Sequence, residues 1–416
     1  MKYIRDKRCK RIFIAGATTL AVVVTLKILL LLPKSSKDHD FANYYCSSRI
    51  YIEHKNPYII PLQSFYDYYK FNVSFEHLEL NRVTNPPLLL LVFSPLAMLP
   101  PPYAFSFWFL VEITSLAIML CIIKALLKNR TSRIGFVVIC ALTIGSGPVC
   151  NNFFVSQVQL SLGALTLAGY AFLKSGKSIA SCITITLAGL IKLYPASLIP
   201  WFIWHNGKSN RERLKLTFIC IVFTVTMLWI SGFDTWLNFF QNTPDSFRPW
   251  IEARSANYSI PSFMINSIFS FFHSRAPQHI SKIAWFFAIF SAITILFIVY
   301  LFLWNNRNSD KSNVREKEFS LLCITILATS LITWESYFVF LIFPFIITVL
   351  ELKETFTNTR FLGIILIWIG LNNLTHLFNN LISKPMFFKV LVSYIPLYSL
   401  IALGIFILKD IKQIRS

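Results

Sequence analysis

The sequence predicts an all-α protein that crosses a membrane many times. Three observations carry this: 55% hydrophobic residues with a mean hydropathy of +0.59, 40 Phe in 416 residues, and only 14% charged residues. A span needs about 20 apolar residues to cross a ~30 Å hydrocarbon core, so the chain has room for about twelve and for no sizeable soluble domain. We expect one multi-span domain over 1–416, with two large outer segments at 33–102 and 231–282. A net charge of +20 raises nucleic acid as a partner. Lys and Arg, however, fall in short segments between apolar runs, the positive-inside pattern of cytoplasmic loops, and nucleic acid is set aside on that ground.

The first run, Ile12 to Leu32, follows Lys2, Arg5, Lys7, Arg8, Lys10 and Arg11. It exceeds a signal-peptide core and no small-residue cleavage site follows, so it reads as a retained anchor with its N-terminus inside. The outer segment after it holds Asn56-Pro57-Tyr58, Asn85-Pro86-Pro87, Pro95 and Pro100-Pro101-Pro102. Proline at this density breaks transmembrane helix and predicts short helices lying along the outer interface, with Pro87 to Leu99 among them. Further spans are expected at Tyr103 to Ile123, Ile134 to Val149, Val158 to Leu173, Ile179 to Leu193, and a short piece ending at Trp204. The later ones are Leu216 to Ile230, Ile283 to Leu303, Phe319 to Ile332, Tyr337 to Leu350, Phe361 to Phe378 and Val390 to Leu408. Letting Tyr194 to Trp204 cross, and not Pro87 to Leu99, puts Lys124, Lys128, Arg130, Arg133, Lys174 and Lys177 inside and the uncharged 145–158 segment outside.

Eight Cys contain no CxxC pair, and His39, His54 and His77 match no zinc spacing. No metal ligand set is assigned, and a divalent metal as cofactor stays open.

Chemistry points to the outer side. Asp38 and Asp40 sit just past the first span, and Asp40 is followed by Phe41, Tyr44 and Tyr45 at helical spacing. That pattern predicts an amphipathic interfacial helix carrying a partly desolvated carboxylate, a better general base than a hydrated one. Lys192 is the lone charge of its run and precedes Tyr194-Pro195, where helix must break. Two roles fit it: snorkelling to the headgroups, or holding the phosphate of a lipid-borne substrate as a point charge. Arg248, Arg254 and Asn257 lie with Trp236 and Trp250 in the second outer segment. Such groups serve an aromatic belt, or stack and hydrogen-bond sugars and phosphates. Gln157 belongs to an amide cluster with Asn151, Asn152 and Gln159, and Trp334 and Glu335 lie in a turn between two late runs.

Taken in order, these pieces resemble the polyprenol-phosphate-mannose-dependent mannosyltransferases of glycosyltransferase family 87, in the C-type glycosyltransferase superfamily. The resemblance rests on Asp40-Phe41-Ala42-Asn43-Tyr44-Tyr45, Asn56-Pro57-Tyr58, Asn85-Pro86-Pro87-Leu88, Pro95-Leu96-Ala97, Leu99-Pro100, Ser156-Gln157-Val158-Gln159, Lys192-Leu193-Tyr194-Pro195 and Asn257-Tyr258-Ser259. The sequence departs from the family pattern with Asn85 in place of Tyr, Gln159 in place of Asn, and Trp334-Glu335-Ser336-Tyr337 without the following His. The resemblance implies a C-type bundle with outward-facing juxtamembrane helices, in the inner membrane of a bacterium. It also implies transfer of mannose, or another hexose or pentose, from a polyprenyl-phosphate donor to a lipid, glycolipid or cell-envelope acceptor. Asp40 would be catalytic; Asp38, Gln157, Lys192, Arg248, Arg254, Asn257, Trp334 and Glu335 would bind donor or acceptor.

A lipid or glycolipid transporter or flippase is the main rival. It calls for ionisable groups near the midplane, and Glu112 is the one residue that fits. A structural assembly partner is the third class, and it gives no reason for polar groups gathering on the outer side.

Overall fold

A computed structural model describes residues 39–71, 83–127, 130–252, 257–270, 278–305, 312–351, 358–372 and 392–415. The first run, Ile12 to Leu32, and the site candidates Asp38 and Arg254 lie outside the described residues. Every described element is helical, and the described residues contain no strand. They group into two compact units that divide after Phe240.

In the first unit, α1 (His39–Ile52) and the one-turn α2 (Gln63–Tyr68) precede α3 (Pro87–Ala97) and α4 (Pro101–Leu126). Both α3 and α4 start on prolines, whose missing N–H falls where a first helical turn leaves donors unused. Helix α4 has 26 residues; at 1.5 Å per residue it is about 39 Å long, enough to cross a bilayer. Helix α3 has 11 residues and at the same rise is about 16 Å long, too short to cross alone.

The Gly145-Ser146-Gly147-Pro148 stretch divides the next run into α5 (Arg133–Ile144) and α6 (Gly147–Val155), bent by 46°. After α7 (Gln159–Lys174) and α8 (Ser178–Ile191), the chain extends at Lys192 (φ −142°, ψ 131°) and enters a 3-10 turn, Tyr194–Leu198. That turn folds back closely onto α8: a Cβ at Gly189 would stand 2.8 Å from the Ala196 Cα. Helices α9 (Ile199–Asn206), α10 (Asn210–Ile230) and α11 (Phe233–Glu252) follow, and α11 runs across the unit boundary.

The second unit holds α12 (Ile260–Ser270), α13 (Gln278–Asn305), α14 (Ser312–Thr329), a 3-10 turn (Glu335–Leu341), α15 (Ile342–Glu351), α16 (Asn358–Leu371) and α17 (Ile395–Arg415). Ile251, Ile265, Ala284 and Ala288 form a buried cluster, with Met264, Trp285 and Ile332 against it. Near the start of α14, Lys317 pairs with Glu351 at the end of α15 at 2.6 Å; Arg360, at the start of α16, pairs with Asp410 near the end of α17. Charge thus collects at the ends of these helices that the charge pattern assigns to the cytoplasm.

Among the described residues, α4, α10 and the 282–304 part of α13 are long and apolar enough to span, and the α5–α6 pair makes a fourth if it counts as one bent crossing. This is fewer than the count of about twelve. Other described helices are shorter or carry charge: α7 has 16 residues, α17 holds Lys409, Asp410 and Lys412, and α9, in the piece ending at Trp204, has 8 residues, about 12 Å of helix, too short to cross alone.

Candidate active site

Asp40 is in the first turn of α1, where the helix N-terminus favours a carboxylate. The sequence pattern predicted an amphipathic helix lying on a surface; α1 is instead enclosed around most of its girth. Phe41, Ala42, Tyr44, Tyr45, Cys46, Ser47, Ser48 and Ile50 are all buried, whereas Asp40 is half-buried. The Phe41 ring meets Phe105, Phe93 and Phe71 with centroids 5.2, 5.9 and 6.1 Å away, and the Tyr45 hydroxyl donates to the Leu99 carbonyl at 2.8 Å. Aromatic packing on this scale fixes the helix that bears Asp40.

Lys192 comes from the break between α8 and the 3-10 turn. Its Nζ donates to Asn85 Oδ1 at 2.8 Å, and Asn85 Nδ2 donates to Asn43 Oδ1 at 3.0 Å. Asn43 lies one turn after Asp40 on α1, and the Asp40 carboxylate is within electrostatic range of the Lys192 ammonium. The same ammonium stands 6.0 Å from the centroid of the Tyr44 ring, at the outer limit of a cation–π contact. The Tyr58 hydroxyl donates to the Asn85 carbonyl at 2.7 Å. Burial pushes the Tyr58 phenol well above its ordinary range, so it stays a neutral donor. Tyr66, also buried, is raised first by burial, then by Cys46, and least by the Asp40 carboxylate, against a lowering by Asn43.

Gln157 joins the same assembly. Its Oε1 accepts from the Tyr44 hydroxyl at 2.9 Å and from Gln159 Nε2 at 3.4 Å, while Gln159 Oε1 accepts from the Tyr194 hydroxyl at 2.6 Å. Gln157 and Gln159 are 1% and 0% exposed, so these amides form a wall behind Tyr44 and Tyr194 rather than a surface open to a substrate. The structure therefore brings together Asp40, Lys192 and Gln157 from the sequence candidates. It adds Asn43, Tyr44, Asn85 and Tyr194, each inside a motif that the sequence displays.

In the second unit, Asn257 is fully buried and its amide is committed to backbone. Nδ2 donates to the Leu331 carbonyl at 2.8 Å, Oδ1 accepts from the Thr333 N–H at 2.8 Å, and the Tyr258 N–H donates to the Thr333 carbonyl at 2.7 Å. Asn257 is thus a clasp on the turn before Trp334 and Glu335, both half-buried, with Glu335 opening the following 3-10 turn. Arg248 is exposed on α11. Among the described residues, no three His, Cys, Asp or Glu side chains gather as a metal site.

The family model for glycosyltransferase family 87 matches residues 84–333. That is more than half of the chain. The protein belongs to glycosyltransferase family 87. A search of the curated proteins finds no match. Asn85, Gln157, Lys192, Arg248 and Asn257 fall inside the family 87 match, and α1 with Asp40 precedes it. The hydrogen bonds from Lys192 through Asn85 to Asn43 tie α1 into the matched part. As a family 87 member, the protein is a glycosyltransferase with a sugar donor and an acceptor, and its apolar helices make it a membrane protein.

Proposed function

We propose that the protein transfers a sugar from a polyprenyl-phosphate donor to a lipid-linked or cell-envelope acceptor at the outer face of a bacterial inner membrane, with Asp40 as the general base. The observation that carries this reading is the Lys192 ammonium, held by Asn85 within electrostatic range of Asp40. Asp40 takes the proton of the acceptor hydroxyl as its oxygen bonds to the anomeric carbon. The bond from that carbon to the donor phosphate oxygen breaks on the opposite face, so the configuration inverts. The polyprenyl phosphate leaves with the electron pair, and Lys192 stabilises the charge on its oxygens. Confinement of both lipid substrates to one bilayer lowers the entropic cost of their encounter.

Mannose is the sugar that the family resemblance favours, with another hexose or a pentose next. Arg248 and Arg254 are the alternative candidates for the phosphate oxygens, and Asp38, Trp334 and Glu335 stay candidates for binding donor or acceptor. Glu112, which a transporter would use for coupling, is held by hydrogen bonds from Ser161 and Asn152, and the family 87 match favours the transferase. The test is incubation of the purified protein with a panel of radiolabelled polyprenyl-phosphate sugars and total membrane lipid. A labelled lipid product that disappears in Asp40→Asn supports the reading. No product from any donor with a folded protein refutes it.

A further inference from the structure

The transfer chemistry leaves Glu112 unused. It lies midway along α4, a helix fit to span a bilayer, and is 1% exposed. A carboxyl group is expensive at that depth, so what it holds matters. Its Oε1 accepts from the Ser161 hydroxyl and its Oε2 from Asn152 Nδ2 at 2.9 Å. On the same stripe of α4, the Trp108 indole donates to the Ser156 carbonyl at 3.1 Å, and Ser115 shares a 2.9 Å hydrogen bond with Ser161. Three side chains of α4 therefore grip the corner between α6 and α7. That corner is under strain: Ser156 adopts φ +57°, the left-handed region that a non-glycine residue rarely enters.

From the corner, contacts continue to Lys192. Asn152 Oδ1 accepts from the Gln159 N–H at 3.1 Å. Gln159 then holds Tyr194 and Gln157, Gln157 holds Tyr44, and the Lys192 ammonium faces the Tyr44 ring. We infer that Glu112 is a positioning residue for the Lys192 site: through Asn152, Gln159 and Gln157 it fixes Tyr44 and Tyr194, and with them the ammonium beside Asn85. Its expected effect on turnover rests on the proposed transferase reading, whereas the placement of Lys192 does not.

The test uses the full chain in lipid nanodiscs, with Glu112→Gln, Glu112→Met, Ser161→Ala, Tyr44→Phe and the double variant Glu112→Met/Tyr44→Phe. A carboxamide can accept from Asn152 and donate to Ser161, whose hydroxyl turns to accept, so Glu112→Gln keeps both contacts. Met fills a similar volume and keeps neither. Sulfosuccinimidyl acetate acylates accessible lysines, and mass spectrometry reads the Lys192 peptide with no need for transfer activity. Glu112→Met should raise Lys192 acylation several-fold, leave Lys317 unchanged, and lower kcat while raising the donor KM, for a loss in kcat/KM of about 10-fold to 100-fold, the scale of a small misplacement. Glu112→Gln should stay near wild type, and Ser161→Ala, a milder cut that keeps the helix intact, should fall between. In the Tyr44→Phe background the Glu112→Met loss should shrink, because one of the two links, Tyr44 to Gln157, is already cut while Tyr194 to Gln159 remains.

A folded Glu112→Met with unchanged Lys192 acylation and kcat overturns the inference, as do additive losses in the double variant. Should Glu112→Met not fold, unchanged Lys192 acylation and kcat in Ser161→Ala overturn it equally. Raised acylation in a protein that transfers no sugar from any donor would uphold the positioning role and refute the transferase reading instead.

Discussion

Lys192 and Asn85 meet through a 2.8 Å hydrogen bond although 107 positions separate them in the chain. Asn85 is the point where three other segments converge: Asn43 on its side-chain amide, Tyr58 on its carbonyl, and Lys192 on its side-chain oxygen. A lysine side chain carries about 2 kcal/mol of rotamer entropy. An ammonium held in place before a phosphate arrives loses less of it on binding, which is what a site for a charged leaving group requires.

Asn85→Ala should therefore disturb the site without touching a reacting group. It removes the acceptor for Lys192 and the donor to Asn43, and each polar group left unsatisfied costs about 1–3 kcal/mol. We expect turnover to fall by about tenfold or more, at 1.36 kcal/mol per factor of ten. Asn85→Asp should act differently: a carboxylate there would neutralise the ammonium, so the donor KM should rise more than kcat falls. Steady-state kinetics on both variants separates these outcomes, and matching kinetic changes in the two would argue against a placed phosphate ligand.

Lys192→Ala should weaken donor binding strongly, whereas removal of a snorkelling lysine costs almost nothing. Arg should rescue only in part, because its planar fork does not reproduce a compact ammonium seated between Asn85 and Tyr44. Donor titration checks this. An unchanged apparent affinity in Lys192→Ala would return the residue to a structural role and move the phosphate site toward Arg248 and Arg254.

Asp40→Asn should insert and fold normally, since α1 is held by its buried aromatic residues rather than by its half-buried first turn. Its turnover should drop by about 10² or more, the usual scale for loss of acid–base catalysis. Near-normal turnover in the folded variant would remove Asp40 from the mechanism and direct attention to Asp38.

The membrane class and the roles of Asp40 and Lys192 as candidates were legible because they rest on local signals: apolar runs, an acid beside aromatics, a lone charge before a proline. The enclosure of α1 was not. Phe41, Tyr44 and Tyr45 give the same periodicity whether they face lipid or protein, and only the neighbours Phe93 and Phe105 decide it. Asn85 and Asn43 were visible as letters of a motif, but their roles depend on hydrogen bonds that reach 107 and 42 positions along the chain, beyond any local pattern. The break at Gly145-Ser146-Gly147-Pro148 falls where the uncharged outer segment 145–158 was expected to begin, but the helix that follows it, α6, has no local signal in that segment.

Asn257 was grouped with ligand-binding residues, yet its contacts describe a clasp, and the clasp makes its own prediction. Asn257→Ala would leave the buried Thr333 N–H short of a partner, a destabilisation of about 1–3 kcal/mol, and would leave the Leu331 carbonyl with only the 3.3 Å hydrogen bond from the Ser259 hydroxyl. The thermal midpoint in detergent should fall. Asn257→Asp should recover part of it, because a carboxylate oxygen still accepts from Thr333. A wild-type midpoint in Asn257→Ala would mean that the amide is spared for another task.

Topology gives the last test. The charge pattern puts the 145–158 segment outside and Lys174 inside. Ser156 falls in the outer segment but is 4% exposed with φ +57°, so a cysteine there would be both strained and shielded from a reagent. Phe154, 41% exposed two residues earlier, is the better probe. In a background cleared of other accessible cysteines, the exposed Cys121 and the partly exposed Cys140 and Cys150 among them, Phe154→Cys should react with an impermeant thiol reagent added to intact cells, and Lys174→Cys should react only after the membrane is opened. The reverse pattern would turn the middle helices over. Because Asn152, Gln157 and Gln159 lie on the same corner as Phe154 and are bonded through Tyr44 to the helix of Asp40, it would carry the candidate site to the cytoplasmic side with them.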